Sequence, residues 1–337
     1  MIEPFQPHSD LTVNPSVFRR FAAVLRTLFA RREAGVLAAL VVLCVLLSFA
    51  SPYFFTVRNI FNVLQGMSTI GIMAIGMTMV LVSGGLDLSV GSVLAVGAVL
   101  TARLMTYEHF NPWIAVFCGL AAGLVFGLGN GLLVTRARVV PFIATLGTLS
   151  IGRGLAFLLA TSGAGSVASN VPMRDAAVGF LGAGYIGAVP MPVILMLLLV
   201  VLATVFLGNM VLGRQIYAVG SNARAARLSG INVERVQLFT YAVSGGLSAL
   251  AGIISTGLLA TASTNLGQGI ELGVIAAAVI GGTSLQGGDG SVIGAILGAA
   301  IMAVMRNAFV LLGLPLHLQT MIIGAVILLA VGFDRRH

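Results

Sequence analysis

Apolar residues run along this chain in long blocks separated by short polar breaks. The block from Gly35 to Ala50, GVLAALVVLCVLLSFA, carries no charge, and similar segments follow at about 66–83, 88–106, 112–134, 141–161, 189–212, 237–261, 271–285, 292–312 and 317–333. A helix needs roughly 20 apolar residues to cross a bilayer, so the pattern predicts ten transmembrane helices. The first block follows an Arg-bearing stretch and ends in the small residues Ser48 and Ala50, as a signal peptide would. The many spans after it favour an uncleaved first helix instead. The segments flanking Gly84-Gly85 and Gly287-Gly288 are candidates for broken or re-entrant helices.

Polar residues fix the orientation. With the N-terminus in the cytoplasm, the inner side receives five Arg from residues 1–33, then Arg136, Arg138, Arg214, Arg224, Arg227, Arg235, Arg335 and Arg336, thirteen in all. The outer side receives Arg58, Arg103 and Arg174, while Arg153 and Arg306 fall inside predicted spans. Thirteen against three is a strong positive-inside bias. The expected architecture is therefore an all-α polytopic membrane protein with both termini cytoplasmic. Residues 1–33 form a polar tail, 34–333 a membrane domain with a cytoplasmic loop at about 213–236, and 334–337 the C-terminus.

Composition sharpens the class. Of 337 residues, 58% are hydrophobic and 8% charged, far from a soluble domain's quarter charged. The net charge is +8, yet all 18 basic residues are Arg. Without Lys there is no G-x-x-x-x-G-K-[ST] loop, so any ATP energy must come from another chain. The Arg placement fits membrane orientation and gives no reason to expect nucleic acid as a partner. Cys44 and Cys118 lie in apolar runs and the four His are scattered, so neither a disulfide nor a metal site is expected. Gly119, Gly123, Gly127 and Gly131 recur every four residues, as do Gly290, Gly294 and Gly298. Such faces let helix backbones approach closely. A partial echo links SGGLDLSVGSVLAVGAVL (83–100) to IGGTSLQGGDGSVIGAIL (280–297), in keeping with the repeats on which transporters are often built.

Three polar sites interrupt the apolar pattern. In the loop at 213–237, Ser221 or Asn222 can cap a short helix through Ala223–Leu228, with Gly230 placed to end it. Arg224 and Arg227 then share a face that could meet acidic groups of a partner, although an ordinary positive-inside loop would read the same way. In VSGGLDLSVGS (82–92), Asp87 sits beside a span, where an acid is costly unless it is paired or at a helix end. It reads as a cap near the inner interface, supported by Ser89 or backbone amides, rather than as a proton relay. The turn with Gly287, Gly288 and Asp289 closes another span in the same manner.

Four stretches, GMTMVLVSGGLDLSVGSVLA, PFIATLGTLSIGRGLAFLL, AVGSNARAARLSGINV and ELGVIAAAVIGGTSLQGGDGSVIGA, resemble the membrane permease subunits of bacterial sugar ABC importers of the ribose/xylose/arabinose type. The resemblance spans roughly residues 55–335. It implies a multi-pass protein of the bacterial inner membrane that pairs with a second permease copy or a paralogue. It also implies two cytosolic ATPase domains on a separate ABC ATPase subunit, which carry ATP and Mg, and a periplasmic sugar-binding protein. By the same resemblance the loop helix docks on the ATPase through Asn222, Arg224, Ala225, Ala226, Arg227, Leu228 and Gly230. Relatives carry Asp at the position of Gly273, so that this chain does without that acid or uses Glu271.

The expected mechanism is alternating access for a monosaccharide, with no chemistry on the substrate and no cofactor on this chain. The outer mouth would form from loops such as 162–188. Asn62, Gln65, Ser68 and Asn265 are candidate path-lining groups, though each could equally make an interhelical hydrogen bond. Arg153 is expected near an interface or snorkelling. An ion-coupled secondary transporter is the alternative, weakened by acids that fall at span ends. An intramembrane enzyme is the second rival, opposed by the absence of HExxH, G-x-S-G and any nucleophile–base cluster.

Overall fold

Apolar blocks become helices in the structure, a computed structural model that describes residues 33–161 and 169–315 and scattered positions from 318 to 325. The helices are α1 (Glu33–Ala50), α2 (Val57–Val82), α3 (Val90–Thr106), α4 (Pro112–Thr135) and α5 (Pro141–Ala160). After them come α6 (Ala176–Ala183), α7 (Met191–Asn209), α8 (Val211–Ser221), α9 (Ala223–Leu228), α10 (Val233–Leu259), α11 (Ile270–Ile280) and α12 (Val292–Leu311). Among the described residues seven helices are long and apolar enough to span a bilayer: α1, α2, α4, α5, α7, α10 and α12. The expected spans at 88–106 and 271–285 are present as the shorter α3 and α11. The expected tail at 1–33 lies outside the described residues except for Glu33, as do most of the tenth span and residues 334–337, so their sidedness is not on view.

Polar capping residues set the boundaries. The Thr56 side chain accepts from the Asn59 amide and starts α2 nine residues before the apolar run suggests. The extra turns carry Asn59, Asn62 and Gln65, and two of the resulting bonds join Asn59 to Asn307 of α12, Nδ2 to Oδ1, at 3.0 and 2.6 Å. Asn111, Asp175 and Ser291 cap α4, α6 and α12 in the same way.

The all-α expectation needs one amendment. Two short antiparallel ribbons form, β1 (Asn170–Pro172) with β4 (Thr261–Ser263), and β2 (Tyr185–Ile186) with β3 (Val189–Pro190). They lie at the end of the bundle where α10 stops, hereafter the ribbon end. Arg103 holds this end together by donating to the Leu159 and Thr161 carbonyls at 2.9 and 3.1 Å. The opposite end gathers the 83–89 turn, the 210–232 loop and the 281–291 turn, hereafter the glycine-turn end. There α1 is fixed by the Ser291 hydroxyl, which donates to Glu33 at 2.6 Å.

The glycine ridges pack as their spacing predicts. A Cβ on Gly123 would meet Ala249 and the Gly245 carbonyl of α10 at 2.5 Å, and one on Gly131 would meet Leu238 at 2.9 Å. On α12, Gly294 and Gly298 press against the Gly281 and Ala277 carbonyls at the close of α11. Backbone contact of this kind replaces the hydrophobic driving force that lipid does not supply. Gly298→Leu is therefore expected to separate α11 from α12. Overpacking costs about 1–3 kcal/mol or more, to be read as a fall in thermal stability in detergent, whereas Gly129→Leu, where a Cβ meets nothing within 4 Å, should be silent.

Cys44 and Cys118 are free and half-buried, in keeping with packing roles.

Candidate translocation path and coupling surface

The break between α2 and α3 is built on a buried acid. Gly84 adopts φ +80 and turns the chain out of α2, and Gly85 leaves room for the Tyr241 ring, since a Cβ there would meet its hydroxyl at 2.7 Å. That hydroxyl donates to the Leu86 carbonyl and accepts from the Leu86 amide, both at 3.2 Å. Asp87 then turns inward and is fully buried. The Ser89 amide and hydroxyl donate to its Oδ1 at 3.0 and 2.6 Å, and the Ser244 hydroxyl of α10 donates to Oδ2 at 2.9 Å. Asn130 of α4 donates to Ser89 Oγ at 2.7 Å, and Thr148 of α5 donates to Asn130 Oδ1 at 2.6 Å. The acid thus joins the head of α3 to α4, α5 and α10. Its counterpart in the sequence echo, Asp289, is exposed at a turn, so similar motifs occupy different depths.

The loop at 213–236 resolves into two helices and the start of a third. Asn222 caps α9, its Oδ1 accepting from the Ala225 amide at 2.9 Å. Gly230, at φ +84, stops it, and Ile231 donates back to the Ala226 carbonyl at 3.0 Å. Arg224, Ala225 and Arg227 are exposed, and Leu228 is 86% exposed. Ala226 differs from its neighbours: it is buried among Val219, Val233 and Val236, and so fastens the helix to the bundle rather than facing outward.

Behind α9 three glycine turns meet. Gly220, at the end of α8, lies against the Val82 carbonyl and the Gly288 amide, so close that a Cβ there would overlap both. The Gly288 amide itself donates to the Val82 carbonyl at 2.8 Å. A Cβ on Gly287 would meet Gly84 Cα at 3.0 Å, and the Tyr217 hydroxyl donates to the Gly290 carbonyl at 2.9 Å. Helix α8, which runs into α9 through Asn222, is therefore in direct backbone contact with the end of α2 and with the turn that leads into α12.

A second cluster lies toward the ribbon end. After β4 the chain folds back at 264–269 and starts α11 at Ile270, with Gly267 and Gly269 at φ +73 and +76. Helix α11 has only 11 residues, about 16 Å, half of a hydrocarbon core of roughly 30 Å. Arg153 of α5 holds the returning strand by donating to the Thr264 and Leu266 carbonyls at 2.8 and 3.0 Å. It thus brackets α5 to the fold-back toward the ribbon end. Beneath the fold-back is a cavity of about 270 Å³ lined by Gly66, Thr69, Ser255, Gln268, Ile270 and Arg306 among others.

The four sequence candidates for the path are only partly near it. Asn62 is exposed and Gln65 half-buried on α2, two turns and one turn before Thr69 along the same face. Ser68 is fully buried, its hydroxyl donating to Leu64 of its own helix. Asn265 is exposed in the fold-back, adjoining Leu266 of the cavity wall. Thr69 and Gln268 carry no local mark in the sequence, and Arg306 stands out there only as an Arg inside a predicted span. Gly273 lies one turn below Ile270, where a Cβ would meet only Met302 Cε at 3.7 Å. Glu271 is not on that face: its Oε2 lies beside Gly91 of α3. Among the described residues, no group of three or more His, Cys, Asp or Glu could hold a metal ion. At the ribbon end, loop residues 162–168 fall outside the described residues, whereas 172–175 frame part of a cleft of about 580 Å³ with Thr106 also in its wall.

The sequence matches the family described as branched-chain amino acid transport system / permease component over residues 59–331. It is 41% identical to the ribose import permease protein of Escherichia coli K12 across 90% of this chain and 94% of that one. It is 39% identical to the ribose import permease protein of Bacillus subtilis 168, across 90% and 93%. To the L-arabinose ABC transporter permease protein of Azospirillum brasilense it is 33% identical, across 90% and 87%. No solved structure matches.

Proposed function

Because the chain belongs to the branched-chain amino acid transport system / permease component family, we propose that it is the membrane-spanning subunit of an ATP-driven importer for a monosaccharide. The observation that carries the coupling half of this reading is the exposed α9 surface backed by the three-glycine junction. A separate ATPase docks on Arg224, Ala225, Arg227 and Leu228, with Asn222 and Gly230 setting the ends of the helix and Ala226 anchoring it. When ATP closes the ATPase pair, the push on α9 passes through Gly220 to Val82 and Gly288, and so to α2 and α12. Those two helices flank the cavity at Thr69 and Arg306, so the push reaches the substrate path. A sugar is moved without being altered, and a wall of hydroxyls, an amide and backbone groups is suited to a polyol.

The finer assignments follow from the same reading. Both termini lie in the cytoplasm of a bacterial inner-membrane protein, the glycine-turn end faces the ATPase, and the ribbon end receives a periplasmic sugar-binding protein. A second permease copy or a paralogue completes the path, and ATP and Mg stay on the partner.

Leu228 provides the test. Its side chain touches little of its own chain, and residues of this kind become anchors when a partner covers them, worth about 2 kcal/mol or more. Leu228→Glu should leave detergent stability unchanged and reduce the co-purifying ATPase by at least about tenfold. An undiminished yield of ATPase with Leu228→Glu would remove α9 from the docking surface.

A further inference from the structure

Among the described residues, Arg306 is the one charged side chain in the wall of the cavity beneath the fold-back. Its Nε is buried without a hydrogen-bond partner among the described residues. The rest of the wall is neutral: Thr69, Ser255, Gln268, glycines and aliphatic groups. Thr69 and Ser255 approach each other at 3.4 Å, and the Ser255 hydroxyl donates to Ala251.

Among the described residues, four acids are held by bonds of their own. Asp87 is bound by Ser89 and Ser244, Glu33 by Ser291 and Glu108 by Arg103, and Asp175 caps α6. Glu234 and Asp289 lie at the glycine-turn end. Glu271 faces Gly91, its Oε2 buried without a hydrogen-bond partner, and its charge acts on Arg153 rather than on Arg306; between Asp289 and Asp334 the sequence has no acid at all. Arg306 is half-buried with its Nε sealed, a cation withdrawn from water without a counter-charge is costly, and a guanidinium matches a carboxylate in shape as well as charge.

We propose that this cavity is a station for a monosaccharide bearing a carboxylate, a sugar acid, with Arg306 pairing the carboxylate and Thr69, Ser255 and Gln268 available to the hydroxyls. The inference rests on the cavity being part of the translocation path and narrows its substrate class. It also explains what the small residue at 273 permits. Helices α11 and α12 run antiparallel, with Gly281 against Gly294, Ala277 against Gly298 and Gly273 against Met302. Arg306 is one turn beyond Met302. Helical side chains lean toward their own N-termini, so a residue at 273 and Arg306 lean toward each other. An acid at 273 would neutralise Arg306, whereas glycine leaves it for the ligand.

The test is equilibrium binding to the full-length chain in lipid nanodiscs, with D-glucuronate and D-glucose as the probes. The two share a pyranose ring and differ in the carboxylate at C6. Glucuronate should bind at least about tenfold more tightly than glucose. That preference should shrink to about twofold or less in Arg306→Gln, and likewise in Gly273→Asp, whose only structural neighbour is a flexible methionine end. Equal binding of the two sugars, no binding of glucuronate, or a preference that survives Arg306→Gln would overturn the proposal. The measurement uses no ATP, so a failure of the ATP-driven reading would leave its result intact.

Discussion

Asp87→Ala is expected to strip the protein of most of its stability, with a folded yield in membranes below about a tenth of wild type. The carboxyl is fully buried and takes donors from Ser89 and Ser244, while Asn130 and Thr148 extend the same network. Hydrogen bonds between transmembrane helices average only about 0.6 kcal/mol, and of the three bonds to Asp87 only that from Ser244 crosses between helices. Removing one partner costs more than losing the bond, because each buried atom left unpaired adds about 1–3 kcal/mol. The second effect dominates here, since Ser89 and Ser244 are themselves fully buried and water cannot replace the acid. Asp87→Asn keeps an acceptor for Ser89 and offers Ser244 a donor that its rotatable hydroxyl can accept, so it should retain most of the yield. Thermal unfolding in detergent separates the two variants. Wild-type stability in Asp87→Ala would show that the network does not hold the head of α3.

Gly220→Val is expected to abolish transport while leaving the partner bound. A side chain there runs into the Val82 carbonyl and the Gly288 amide, and backbone cannot move aside as a flexible side chain does. The insertion forces apart α8, the end of α2 and the 281–291 turn, and it breaks the bond from Gly288 to Val82. The docking residues Arg227 and Leu228 remain exposed on α9. ATP-driven uptake in proteoliposomes should fall at least tenfold, which corresponds to about 1.4 kcal/mol of coupling, with the ATPase still co-purifying. Gly147→Ala, at an exposed position of α5 with nothing within 4 Å of a Cβ, is the matched control. Undiminished uptake by Gly220→Val would place the coupling route elsewhere.

Local information made much of this legible. Apolar runs located nine of the ten expected helices, the four-residue glycine spacing found the packed faces, and Asn222 with Gly230 bounded α9 because caps are written in adjacent residues. Depth and partnership were not legible. Asp87 and Asp289 share a motif, yet one is sealed under Tyr241 and Ser244 while the other is exposed, because residues more than 150 positions away decide it. Ala225 and Ala226 are adjacent alanines, and only the packing of Val219 and Val233 distinguishes the exposed one from the anchor. The start of α2 was misplaced because Asn59, Asn62 and Gln65 mimic a loop. In the structure one of them, Asn59, instead pairs with Asn307 of α12. The fold-back at 264–269 has no periodicity of its own, and it depends on Arg153 from α5. The cavity draws on α2, α10, the fold-back and α12, so no single window of sequence contains it.

ATP-dependent solute uptake is the most direct measure of the central claim. The tagged chain would be purified gently from its native host with whatever accompanies it, reconstituted in proteoliposomes, and assayed with labelled monosaccharides in the presence of the periplasmic binding protein. The account predicts uptake that requires ATP and stops when the ATPase is stripped from the complex. Uptake by the chain alone, driven by an ion gradient without ATP, would contradict it.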